Sequence, residues 1–296
     1  MPIKLIAMDI DGTLVDVGSR VSEENARAIA EAAARGIEIV LVTGRRFDFA
    51  RSIADQIPCD LCMINSNGAV VKSKTGESRL THLMDAGLAR RVLEATTEFH
   101  GSAAVIFDRP GPRQVIVRRI DLDDPFRGPY LRRNLDFVSA VDPLTDCLAA
   151  TGENGDDPVH ISFVGGCQPI RTAKAVLENV PFASEFTLAS TEYESRNFAF
   201  LDVLRRGVTK GATLAEWAAL RGIAREDVMA IGDNFNDREM LEFAGLPVVM
   251  GNAIPELKAL GWPVTLSNVQ NGVAEAIRVY ALGNHAIGET PAPLTK

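Results

Sequence analysis

The sequence predicts an α/β protein, a doubly wound parallel sheet with an α+β domain inserted into it, and three observations predict it. Short apolar runs alternate with helix-patterned stretches at both ends of the chain, the pattern of a parallel sheet covered by helices. Several of those runs stop abruptly at Asp, Thr, Asn or Gly. Between the two ends lies a stretch whose strand candidates pair like hairpins, around turns such as Arg109-Pro110-Gly111-Pro112.

Ile3 to Met8 is the first apolar run and reads as a buried strand. Ser22 to Arg35 reads as a helix, with Ser22 as N-cap and Gly36 as its stop. Ile37 to Val42 is the second strand and ends in Thr43-Gly44-Arg45; a helical stretch from Arg46 to Gln56 follows. Cys62 to Ile64 is the third, closed by Asn65-Ser66-Asn67-Gly68. The character changes near Met84. Ala86 to Phe99 and Pro169 to Asn179 read as helices, and Ala103 to Phe107, Gln114 to Arg119, Val159 to Val164, Glu185 to Ala189 and Phe198 to Leu204 as strands. Asp142 to Asp157, polar and broken by Pro and Gly, reads as a long loop. After Lys210 the alternation returns. Gly211 to Arg221 and Arg238 to Phe243 are helical, Val228 to Ile231 is a strand ending in Gly232-Asp233, and Pro247 to Met250 is another. Val273 to Leu282 is the last helix, and the Pro-rich tail from Asn284 reads as disordered. One α/β domain is therefore expected from residues 1–83 and 194–296, with an α+β insert at 84–193.

Composition narrows the function. With 296 residues, 46% of them hydrophobic, the chain can build a sizeable core, and a net charge of -8 lacks the basic footprint of a nucleic-acid binder. The opening residues do not read as a signal peptide, because Asp9 and Asp11 interrupt a short apolar run, and no run is long enough to cross a bilayer. Four cysteines form no disulfide framework, which fits a reducing, cytoplasmic setting. Cys59 and Cys62 form a C-x-x-C without a matching second pair and read as small buried hydrophobes. The arginines of the insert, Arg113, Arg118, Arg119, Arg127, Arg132 and Arg133, read mostly as a solvated face. Arg118 and Arg119, adjacent on a strand, would point to opposite faces. The four histidines have no metal-ligand spacing. No heptad pattern indicates an oligomeric state.

The chemistry sits at the strand ends. In an open parallel sheet, ligands bind beyond the carboxyl ends of the strands, so Asp9 and Asp11, Thr43, Asn65 to Gly68, and Asp233 to Asp237 should converge on one crevice. Crowded carboxylates repel one another, and a divalent cation relieves the repulsion. An all-oxygen donor set favours Mg²⁺, which leaves room for a substrate phosphate. Lys210 adds a positive charge and Thr43 a hydroxyl, which together describe a site for phosphoryl transfer.

Asp9-Ile10-Asp11-Gly12-Thr13-Leu14, Thr43-Gly44-Arg45, Lys210-Gly211 and Gly232-Asp233-Asn234-Phe235-Asn236-Asp237 resemble, in order and placement, the four motifs of the haloacid dehalogenase superfamily. An insert between the second and third motifs, with a G-D-x-x-N-D ending, is similar to the Cof-type phosphatases with a C2-type cap. The resemblance implies a Rossmann-like core, Mg²⁺, and hydrolysis of small phosphorylated metabolites, sugar phosphates among them, with a cap that closes over the site and selects the leaving group. Asp9 would be the nucleophile and Asp11 the general acid and base. Thr43, Gly44, Lys210 and Asn236 would hold phosphate. The Asp9 side chain, the Asp11 carbonyl and Asp233 would bind the metal, with Asp237 supporting it through water. Thr13 and Leu14 read as structural, Thr13 bonded to local backbone; Arg45 reads equally as a substrate contact or a helix start; Asn67-Gly68 reads as a turn. A phosphotransferase or mutase using the same nucleophile is one alternative, and a binding protein that keeps the fold without turnover is another. Dehalogenation fits the acidic metal site and an Asp11 general acid less well.

Overall fold

The computed structural model describes residues 2–148 and 157–283. The expected disordered tail from Asn284 lies outside the described residues, as do residues 149–156 of the loop expected at Asp142 to Asp157; the part before them holds a short 3-10 helix, Leu144–Leu148. Five strands open the chain: β1 (Leu5–Met8), β2 (Glu38–Val42), β3 (Cys62–Asn65), β4 (Val70–Ser73) and β5 (Ser78–Thr81). Six follow: β6 (Ala103–Ile106), β7 (Val115–Val117), β8 (Val138–Ala140), β9 (His160–Gly165), β10 (Phe186–Tyr193) and β11 (Phe198–Arg205). Two more, β12 (Val228–Gly232) and β13 (Leu246–Val249), close the set.

They form two sheets. The first runs β13-β12-β1-β2-β3-β4-β5, and its first five members are mutually parallel. The second runs β10-β11-β9-β6-β7-β8. The chain divides accordingly into two compact units, residues 1–79 with 210–296, and residues 80–209.

In the first unit, β1 lies between β2 and β12, so the strand order reverses at β1. Such a switch point opens a crevice beyond the strand ends. Register sets what meets there. Met8 is opposite both Leu41 and Ile231, and Val42 is opposite Ile64. The residues that follow these strands therefore leave the sheet at one edge. All four residues of β1 are buried, as a strand covered on both faces requires. Helix Glu23–Ala34 begins as expected, the Ser22 side chain accepting from the Asn25 N–H at 3.1 Å. Gly36, with φ +83°, ends it. β4 and β5 are absent from the pattern of apolar runs: β4 pairs two buried valines with half-exposed Lys72 and Ser73, and β5 is exposed except for half-buried Leu80.

Helix Lys210–Leu220 packs closely on helix Arg238–Phe243. A Cβ on Gly211 would stand 2.5 Å from the backbone carbon of Glu239. We expect Gly211→Ala to cost about 1–3 kcal/mol, as overpacking does; urea unfolding of the variant measures it.

In the second unit, helices Ala86–Ala95 and Cys167–Glu178 share a core with one sheet face, built from Val92, Leu93, Phe163, Leu177, Leu201 and others. Here the expected boundary at residue 194 moves. β11 pairs along its full length with β10, from Phe186 opposite Arg205 to Tyr193 opposite Phe198, and also with β9. It therefore belongs to this sheet, and the unit runs on to Thr209. Arg118 and Arg119 lie just past β7, which ends at Val117, so they do not divide between two faces of a strand. Arg118 pairs with Asp142 and Arg119 with Asp121, both exposed; Arg132 and Arg133 bond to nearby carbonyls. Arg127 is the exception: it is buried against Asp124, and its Nη1 has no hydrogen-bond partner. Among the described residues, no helix is long and apolar enough to cross a membrane.

Candidate active site

Asp9 continues β1, its N–H donating to the Ile231 carbonyl at 3.0 Å. Lys210 opens its helix and is fully buried at the side chain, 1% exposed. Its Nζ donates to Asp9 Oδ1 and to Asp237 Oδ1, both at 2.6 Å. Asp237 is equally buried, and its Oδ2 accepts from the Asp233 and Asn234 N–H groups, each at 3.0 Å. One carboxylate thus shapes the turn after β12 and anchors the lysine at once. Asp233 is held from the other side: Thr13 Oγ1 donates to its Oδ1 at 2.7 Å. Gly12, with φ +84°, makes this approach possible, because a Cβ there would lie 2.3 Å from Asp233 Oδ2.

Carboxylate oxygens of Asp9, Asp233 and Asp237 all lie within 4.8 Å of one another. Burial, and then the Asp237 charge, push the Asp9 carboxyl well above the usual range, against the pull of Lys210. Asp233 is pushed up to about 7, by burial first and Asp237 second, with the Thr13 hydrogen bond opposing. Burial would lower Lys210, but Asp237 and Asp9 more than offset it and hold it above its ordinary value. Three carboxylates against one ammonium leave an excess of two negative charges when all are ionised. A divalent cation fits that excess: the hydrogen bonds from Lys210 and Thr13 fall on Asp9 Oδ1 and Asp233 Oδ1, and none among the described residues is made to either Oδ2. Asp237 has both oxygens committed to Lys210 and backbone.

A pH dependence follows from Asp233. Its folded value lies above its ordinary 3.8, so the folded state without a cation holds a proton that the unfolded chain has released. Stability without a cation therefore falls as pH rises from about 4 to about 7, and a cation that displaces the proton offsets the loss. Added Mg²⁺ is expected to raise the Tm over that in EDTA, and by more at about pH 8 than at about pH 6; thermal melts in both media at the two pH values test both.

Thr43 is buried, its Oγ1 accepting from the Arg45 N–H at 3.1 Å. Arg45 grips Asp11 with two hydrogen bonds, Nε to Oδ2 at 2.7 Å and Nη2 to Oδ1 at 2.6 Å, and Nη2 also reaches Ser19 Oγ at 3.2 Å. Arg45 is thus a partner of Asp11, a role that neither reading of it names. Asn236 Nδ2 reaches Asn67 Oδ1 at 3.5 Å. Asn252 Nδ2 donates to the Gly12 carbonyl at 2.8 Å and braces the loop after β1.

The fold therefore joins Asp9, Lys210, Asp233 and Asp237 directly, pairs Asp11 with Arg45, and places Asn236 beside Asn67. Thr13, expected to bond local backbone, instead donates to a residue 220 positions away. Nothing in the local pattern marks that partner. Elsewhere, Cys59 and Cys62 are free and half-buried, burial pushing both thiols up. His160 lies 3.8 Å from Asp202 inside the second unit.

A model of the family described as haloacid dehalogenase-like hydrolase matches residues 6–110 and 170–277. The chain belongs to that family. This haloacid dehalogenase-like hydrolase, of the Cof type, is 30% identical over 303 residues to a 5-amino-6-(5-phospho-D-ribitylamino)uracil phosphatase of Bacillus subtilis, covering 96% of this chain and 100% of the relative. A solved haloacid dehalogenase-like hydrolase of B. subtilis superposes with a TM-score of 0.78 at 26% identity, covering 94% of this chain and 100% of that one. The fold of a solved subclass IIB sugar phosphatase is also similar, with a TM-score of 0.72 at 21% identity over 94% of this chain and 99% of that one.

Proposed function

We propose that this phosphate-monoester hydrolase acts on small phosphorylated metabolites through an aspartyl-phosphate on Asp9, with Mg²⁺ as its metal. The observation that carries the reading is the buried lysine bridging Asp9 and Asp237 beside Asp233. In the first step an oxygen of Asp9 attacks phosphorus, the bond from phosphorus to the leaving oxygen breaks, and Asp11 gives that oxygen its proton. In the second, Asp11 takes a proton from water, the water oxygen bonds to phosphorus, and the bond to Asp9 breaks to release inorganic phosphate. Arg45 holds Asp11 in place between the steps and must free one carboxylate oxygen for the proton. Lys210 favours the ionised form of Asp9, against burial and the Asp237 charge, and screens the approaching phosphate. The Thr43 hydroxyl, the Gly44 N–H and the Asn236 amide take the phosphoryl oxygens. Asp9, Asp233 and the Asp11 carbonyl would hold Mg²⁺, with Asp237 fixing the loop that carries Asp233. When bound, the ion supplies charge neutralisation for the phosphoryl group.

Relatives support the substrate class: one is named for a phosphorylated ribityl compound, another as an HMP-PP phosphatase. The test is phosphate release from an aryl phosphate with Mg²⁺ and with EDTA. Release that EDTA abolishes is the expected result; release that persists without metal sinks the Mg²⁺ assignment. Transfer to an added alcohol in preference to water would instead indicate a phosphotransferase.

A further inference from the structure

Asn65, Ser66, Asn67 and Gly68 close β3 and take no part in the reaction as described. Ser66, Asn67 and Gly68 have φ of +50°, +53° and +109° in succession, a left-handed run that side chains disfavour. The run is buried, unlike an ordinary surface turn. Asn65 Oδ1 is buried there with no hydrogen-bond partner, while its Nδ2 donates to the Met63 carbonyl. Main-chain bonds pin the loop to the second motif. The Ser66 N–H donates to the Arg45 carbonyl at 2.9 Å and the Asn67 N–H to the Thr43 carbonyl at 3.0 Å. From the other side, Thr213 Oγ1, one turn into the helix opened by Lys210, donates to the Gly68 carbonyl at 2.9 Å.

The Asn67 side chain fills the space that the missing side chain of Gly44 leaves. A Cβ on residue 44 would stand 3.2 Å from Asn67 Oδ1 and 3.3 Å from its Nδ2. The same Oδ1 accepts from Asn236 Nδ2. One carboxamide thus lies between two groups assigned above to the phosphoryl oxygens. The left-handed backbone is what aims it, and Asn is among the few side chains that tolerate that conformation.

We propose that Asn67 is a positioning residue, its carboxamide wedged between Gly44 and Asn236 so that the Gly44 N–H and the Asn236 amide meet the phosphoryl group in fixed places. This rests on the phosphatase reading above. The test compares Asn67→Gly, Asn67→Asp, Asn236→Ala and the double variant Asn67→Gly/Asn236→Ala in the full chain. The probe is inorganic phosphate with Mg²⁺, read as Kd by calorimetry and as inhibition of aryl-phosphate turnover, beside thermal melts. Glycine accepts the backbone conformation, so Asn67→Gly is expected to keep the wild-type Tm within a few degrees. Its Kd for phosphate should rise about tenfold and its kcat fall about tenfold. Asn236→Ala should lose as much, and the double variant less than the product of the two single losses, because the Asn67–Asn236 contact is shared while the Gly44 contact is not. Wild-type phosphate affinity in Asn67→Gly overturns the proposal, as do losses that multiply in the double variant. Should Asn67→Gly melt far below wild type, Asn67→Asp decides: it keeps the shape and the backbone preference, and unchanged phosphate affinity in it also overturns the proposal. Failure of the phosphatase reading is distinct, since there Asp9→Asn keeps its turnover whatever residue 67 does.

Discussion

Asp9→Asn is expected to lower phosphate release by on the order of 10⁴-fold or more, the scale on which removal of a nucleophile acts, without weakening the fold. The two halves of that result have one physical origin. Asp9 is buried beside Asp237 and Asp233, and its carboxyl is raised well above the usual range by that burial first and by those charges second. Ionised Asp9 is therefore a cost to the folded state in the absence of metal. An amide of the same shape removes the charge and still accepts from Lys210 Nζ, a bond of 2.6 Å in the native protein. The melting temperature of Asp9→Asn in EDTA should equal or exceed that of the wild type near neutral pH. Retained turnover, or a large fall in Tm, would contradict the role given to this residue.

Lys210→Met has the opposite signature: turnover and stability fall together. The ammonium is bonded to both Asp9 and Asp237, and it is 1% exposed. Methionine fills the space but leaves two buried carboxylates facing each other. Breaking a buried pair in this way costs about 3–5 kcal/mol, an upper figure here because Asp9 can take up a proton in response. Turnover should drop on the order of 10²–10³-fold, as when one preorganised donor to the reacting group is lost. Urea unfolding and aryl-phosphate kinetics on the same variant measure the two losses. If stability falls and turnover is kept, Lys210 only supports the fold.

Much of this was legible in the sequence, and the limit falls at a definite place. Each apolar run marks a buried strand, and the polar residues that end it mark the rim of a parallel sheet, so Asp9, Thr43 and Asp233 point to one edge before any coordinates are known. Partnership is what such patterns leave out. Thr13 binds Asp233 and Arg45 binds Asp11 because the loops after β1, β2 and β12 fold over one another, and no periodicity records that. Phe198 to Leu204 reads as a strand from its composition, but only its hydrogen bonds to β9 and β10 assign it to the second unit. Asp237 shows the same limit: an acid at the end of an acidic motif suggests a metal support, and the pattern does not record that its two oxygens also serve a lysine and two N–H groups.

The wide separation in sequence of the residues around β1 has a consequence for biosynthesis. Asp9 leaves the ribosome long before its bonded partner Lys210, which lies 201 positions later, and the strand that flanks it on one side, β12, lies later still. At about 5–20 residues per second, a nascent chain carries Asp9 for tens of seconds with neither lysine nor Asp233 beside it. Residues 80–209, by contrast, are contiguous and complete before Lys210 is made. The reactive centre therefore exists only in a chain that has been synthesised past Asp237, and no earlier fragment can hold the four groups together.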